Sequence, residues 1–99
     1  MVKKPTEMHA MGFTFDIVYR AAEEYENLGE WDFANKNITI NEWYGSLQEK
    51  AALMHELIHI CSYLGGGKKL KESRVRGLST QIFTMLRENP KMTAWMLED

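Results

Sequence analysis

One stretch of this 99-residue chain could do chemistry on its own: His55-Glu56-Leu57-Ile58-His59. On an α-helix, residues i and i+4 lie one above the other on the same face, so both imidazoles can reach one ion. Zinc accepts neutral imidazole nitrogen at about 2.0–2.1 Å in tetrahedral geometry. Glu56 follows the first histidine by one position and points off the ligand line. It can therefore stand beside a metal-bound water without binding the metal. A bound zinc lowers the pKa of such a water toward about 7, and a carboxylate there can take its proton as the water attacks a carbonyl. With His near ~2% and Glu near ~6% of residues, the pattern arises by chance in well under ~1% of chains this short.

The surroundings of the motif sharpen this reading. Between Ala51 and Leu64 the strongly polar side chains are His55, Glu56, His59, Ser62 and Tyr63, and the rest are Ala, Leu, Met, Ile and Cys. On a helical wheel Leu53, Met54, Leu57, Ile58, Ile60, Cys61 and Leu64 form a broad apolar arc with the histidines at its margin. A helix apolar over most of its circumference is expected to be buried. Two imidazoles and a carboxylate buried without partners are costly, and metal coordination removes that cost. A hydrogen-bonded structural cluster is the alternative.

Two histidines leave a third ligand to be found. The best-placed carboxylate is Glu72, at the start of a second helical stretch that should return antiparallel to the first at roughly the level of His59. Packed helices lie 8–10 Å apart, within reach of a His and a Glu converging on one ion. An acid in a first helical turn is also favoured by the helix dipole alone. His9 or an added water are the other candidates. Acyl transfer also needs a group to steady an oxyanion, for which Tyr44, Tyr63 and His9 are available. Arg74 and Arg76 follow Glu72 and could orient it or bind a substrate carboxylate, although such arginines are usually only solvated. Trp31, Trp43 and Trp95 read as core or half-buried surface, with Trp43-Tyr44 a possible cleft lining.

The elements that must position these residues divide the chain into a strand-rich first half and a helical second half. Phe13 to Tyr19 alternates and is rich in β-branched and aromatic residues, which predicts a strand. Arg20 to Asn27 is charged and reads equally well as its continuation or as a short helix. Trp31 to Ala34 is a possible strand, Asn35-Lys36-Asn37 a turn and Ile38 to Ile40 a short strand. Ser46-Leu47-Gln48-Glu49 fits a capping box with Ser46 as N-cap. That helix should run to about Leu64 and stop at Gly65 in a left-handed C-cap. A second helix is expected from about Leu70 to Glu88, ended by Asn89-Pro90, with Val75, Leu78, Ile82, Met85 and Leu86 at helical spacing. Met92 to Leu97 is apolar enough to dock on the body. The expected architecture is an α+β domain: a small antiparallel sheet of two or three strands on two antiparallel helices, with zinc between them.

The bulk properties are consistent with one small domain over residues 1–99. Apolar residues make up 44% of the chain, so a core is feasible but thin, and a metal would help to hold it. A net charge of −2 gives no electrostatic case for nucleic acid. Lys68, Lys69 and Lys71 beside Gly65-Gly66-Gly67 read as a solvated loop. The single cysteine, Cys61, excludes an intrachain disulfide and suits a reducing compartment. No apolar h-region follows Met1 to Glu7, and no apolar run approaches the roughly 20 residues needed to span a bilayer. A cytoplasmic protein without a membrane partner is the expectation.

The chain resembles the small phage- and prophage-encoded metallopeptidases of the gluzincin group, and more distantly the ImmA/IrrE-type metallopeptidases. The likeness rests on Lys36-Asn37-Ile38-Thr39-Ile40 as a strand, on Ala52-Leu53-Met54-His55-Glu56-Leu57-Ile58-His59 on a helix, and on Glu72 opening a helix that ends Leu86-Arg87-Glu88-Asn89-Pro90. It covers about residues 13 to 90. The resemblance implies a minimal zincin-like fold, His55, His59 and Glu72 as zinc ligands, Glu56 as base, and hydrolysis of a peptide or protein substrate. The strand at Ile38 to Ile40 is expected to offer an exposed edge to an extended peptide. A zincin-derived protein-interaction module without peptidase activity is the rival, although metal binding alone would not require Glu56.

Overall fold

The computed structural model describes residues 3–21, 23–24, 27–66 and 70–99. It is an α+β fold with four strands followed by three helices: β1 (Glu7–Ala10), β2 (Phe13–Arg20), β3 (Gly29–Asp32), β4 (Asn37–Asn41), α1 (Ser46–Gly66), α2 (Glu72–Glu88) and α3 (Pro90–Leu97).

The sheet order is β1-β2-β4-β3. β1 and β2 form a tight antiparallel hairpin through Met11-Gly12, both in the left-handed region at φ 49° and 87°. β2 and β4 are parallel, with Ile17 opposite Ile38, and β3 returns antiparallel to β4, with Trp31 opposite Ile38. The sheet is therefore mixed and four-stranded, not the expected antiparallel set of two or three. β4 also lies inside the sheet with a neighbour on each side, so Ile38 to Ile40 is not a free edge; β3 is.

Strand alternation decides which side carries the core. Phe15 and Ile17 of β2 and Ile38 and Ile40 of β4 are buried on one face, whereas Thr14, Asp16 and Val18 are exposed on the other. Ala52 and Ile60 of α1 complete the cluster, with Met8, Trp31, Phe33 and Leu64 packed at its margin. α1 lies on β3 and β4, α2 packs on α1, and α3 packs on α2. Among the described residues, the backbones of α2 and α3 do not come close to the sheet.

The helix ends differ from expectation by small but instructive amounts. The Gly45 carbonyl accepts the Glu49 N–H, so Gly45, at φ 90°, stands at the N-cap and Ser46 is the first helical residue. The Glu49 carboxylate pairs with Lys4, which also meets Glu42 at 2.7 Å. α1 runs on through Gly65 to Gly66, without the left-handed cap expected at Gly65. Gly67, Lys68 and Lys69 lie outside the described residues. Those described between Ala21 and Leu28 are not helical.

The helix α1 is less completely covered than its composition suggests. Only Ala52, Glu56 and Ile60 are fully buried, and Cys61 is exposed. On α2 Val75 is buried, but Leu78 and Met85 face solvent. Pro90 both ends α2 and opens α3 at a position where a missing N–H costs nothing. α3 docks through the Thr93 hydroxyl, which donates to Leu86 and Asn89 carbonyls at 3.1 and 2.9 Å, and leaves Trp95 and Leu97 exposed. Trp43 is likewise exposed, against the packing expected for both tryptophans. No described helix is long and apolar enough to cross a membrane.

Candidate metal centre and cleft

The row Ala52-Glu56-Ile60 points from α1 to the sheet, and the neighbouring row His55-His59 points to α2. The two imidazoles stand with ring centroids 4.9 Å apart. From α2, Glu72 reaches across to both: Oε1 lies 2.5 Å from His55 Nε2 and Oε2 2.9 Å from His59 Nε2. One ligand atom from each of the three residues falls within a common 4.8 Å. The expected meeting of His55, His59 and Glu72 is thus present in the fold.

A two-imidazole, one-carboxylate donor set suits zinc with a fourth position left for water or substrate. Ligands about 2.0–2.1 Å from a tetrahedral ion stand roughly 3.3 Å apart. Glu72, whose side chain is 59% exposed, needs only a small swing to reach that spacing. The histidine side chains are 19% and 11% exposed and are held more firmly. Burial pushes the Glu72 carboxyl up, but the hydrogen bonds and charges of His55 and His59 together outweigh it and hold the group below its ordinary range.

Ser79 completes the support and was not singled out from sequence. It is buried in α2, its hydroxyl donates to the Arg76 carbonyl at 3.2 Å, and its oxygen lies 3.5 Å from His55 Nδ1. With its proton on the Arg76 carbonyl, the Ser79 oxygen is available to accept from Nδ1, the tautomer that would free Nε2 if an ion replaced its present hydrogen bond to Glu72. Its spacing of seven from Glu72, two helical turns on one face, was the signal available.

Glu56 stands beside this cluster and is not part of it. It is 4% exposed, and its Oε2 has no hydrogen-bond partner. Burial above all, then the charges of Glu72 and Glu30, pushes its carboxyl up to about 7. The edge strand comes close here: a methyl added at Gly29 would stand 3.4 Å from Glu56 Cγ and 3.3 Å from Ile40 Cδ1. A side chain at Gly29 would be tight against Ile40 Cδ1 and the Thr39 carbonyl oxygen and in ordinary contact with Glu56 Cγ.

An open cleft runs over the cluster, floored by α1 and walled by β3 with Glu30 and Trp31 on one side and by α2 with Glu72 and Arg76 on the other. The loop leading into β3 is tied down by buried Asn41, which donates to Asn27 and Glu23 carbonyls at 3.3 and 3.5 Å and accepts the Trp43 N–H at 2.9 Å. Sequence gave no hint of that role for Asn41.

The remaining candidates fall elsewhere. His9 sits on the solvent face of β1, at the opposite edge of the sheet, where its Nδ1 meets the Thr14 hydroxyl at 3.0 Å. It can be neither a third ligand nor an oxyanion donor. Tyr63 packs on Trp31 and Phe33, at ring distances of 5.6 and 4.9 Å, and Tyr44 lies in the connection before α1. Among the described residues no tyrosine lines the cleft. Arg74 lines a separate shallow groove on the outer side of α2, with Lys71 and Leu78.

No family model, curated protein or solved structure matches this chain.

Proposed function

We propose that this domain is a zinc-dependent peptidase of zincin type, with His55, His59 and Glu72 holding the metal and Glu56 acting as general base. The observation that carries the proposal is the unpartnered, buried Glu56 carboxylate beside a three-ligand cluster that opens on a cleft. A purely structural metal would need the three ligands and a closed fourth side, and would leave Glu56 as an uncompensated burial. Bound zinc would supply a Lewis acid and an activated water.

The protein's own residues do the rest. Ser79 lends the His55 ring a long, weak support, and His55 and His59 present Nε2 from consecutive turns of one helix. Glu56 accepts a proton from the attacking water and returns it to the leaving amine. Its raised pKa without metal reflects a dry site. A cation nearby would favour the charged form that the base requires. The free edge of β3 runs along the cleft and offers main-chain groups to an extended peptide, the role first expected of β4.

Glu56→Gln tests this directly. The variant should keep its fold and zinc content, since Glu56 is not a ligand, and should lose hydrolysis of a proteome-derived peptide library. A wild-type protein that cleaves nothing the Gln variant spares, while both capture the same protein partner, would favour the interaction module.

A further inference from the structure

We propose that Arg76 is an anion-binding residue of the cleft and selects substrates that carry a carboxylate about one helical turn from the metal. The inference rests on the peptidase reading and extends it to substrate class. Arg76 lies four residues after Glu72, on the same face of α2, and lines the cleft, whereas Arg74 lines the outer groove of that helix. Among the described residues the Arg76 guanidinium has no ion-pair or hydrogen-bond partner. A guanidinium at a cleft wall with its five donors unused is built to take a planar carboxylate in bidentate fashion. Among the described lining residues Arg76 is the one Lys or Arg, beside the carboxylates of Glu30, Glu56 and Glu72, so it is the side chain there that can draw an acidic group.

The carboxylate has two possible sources, an acidic side chain or a peptide C-terminus. Three hydroxamate dipeptides separate them: one with an Asp side chain and an amidated end, one with neutral side chains and a free C-terminal carboxylate, and one wholly neutral. Calorimetry on the protein with its zinc content verified should give one carboxylate-bearing probe about tenfold or more tighter than the neutral one. Arg76→Gln should erase that preference and leave the neutral probe unchanged, while Arg74→Gln should keep it. Equal affinities for all three probes, or a preference that survives in Arg76→Gln, overturns the proposal.

The same peptides without the hydroxamate, titrated into metal-free protein and followed at the Arg76 Nε–H resonance, read the anion site independently of zinc. A shift with a carboxylate-bearing peptide and none with the neutral one supports Arg76 even where the peptidase reading fails. No shift with either sinks it.

Discussion

Two rows of side chains run down α1 about 100° apart, one residue out of step. Ala52, Glu56 and Ile60 face the sheet and are buried; His55 and His59 face α2 and stay partly open. The first row packs the core, the second meets Glu72 in a cluster that could hold a metal, and Glu56 belongs to the first row while standing beside the second. A motif of five residues thus spans two environments, and Glu56 is desolvated because it sits in the packing row.

The sharpest way to break this comparison is to remove ligands. If roughly 10–16 kcal/mol of zinc binding is shared among three or four ligands, losing one costs about 3 kcal/mol or more. Glu72→Ala and His59→Ala should therefore lower zinc affinity at least about a hundredfold, measured by competition with a chromogenic chelator. Glu88→Ala and Glu98→Ala should not. The melting temperature of metal-free Glu72→Ala should stay close to that of the metal-free wild type, since the Glu72 side chain is largely exposed. Zinc should raise the wild-type melting temperature by many degrees and the variant's far less. Equal affinity in the Glu72 and Glu88 variants would place the third ligand elsewhere.

The packing row should respond in the opposite currency. Ile60 is 1% exposed, and Ile60→Ala should cost about 2–5 kcal/mol in chemical denaturation. Zinc affinity of the protein that remains folded should change little. A large affinity loss with small destabilisation would show that the two rows are not separable.

The two rows also differ in how readily the sequence discloses them. His55, His59 and Glu72 follow from helical periodicity and a short connection, which are local rules. The sheet does not. β2 and β4 are parallel neighbours with β3 between them in sequence, and nothing local to Ile17 or Ile38 states that pairing. The same long-range fact turned β4 from an edge into a centre and left β3 at the edge beside the cleft. His9 shows the converse error: a suitable residue type, removed from the site by strand parity and by the width of the sheet. Composition also overstated the burial of α1, because α2 covers only one side of it and Cys61 looks outward.

Glu56 can be read by pH. Its folded-state pKa, about 7, lies above the ordinary 4.5, mainly through burial and then through Glu72 and Glu30. The native state then binds the proton more tightly than the unfolded chain, so the stability tied to this group is present below about 4.5 and is lost as pH rises to about 7. In chelator, Glu56→Gln should match the wild type near the acid end of that window and become the more stable of the two toward its upper end. The difference should then level off. A gap that stays constant with pH would mean that Glu56 is not desolvated in the metal-free protein.

The smallest expected effect belongs to Ser79. Its hydroxyl proton goes to the Arg76 carbonyl, so its oxygen is left to accept from His55 Nδ1 at 3.5 Å, a long contact that does modest work. Losing such a support beside a metal ligand typically weakens affinity about 10- to 100-fold, and the length argues for the low end. Ser79→Ala should therefore bind zinc about tenfold more weakly. Because the small residue is buried, the same change could act by disturbing the helix contact. Ser79→Cys keeps the volume roughly but accepts poorly, and Ser79→Thr keeps the acceptor. A tautomer effect requires Thr to restore zinc affinity where Cys does not. Equal affinity across all four proteins would reduce Ser79 to a small residue that lets α2 approach α1.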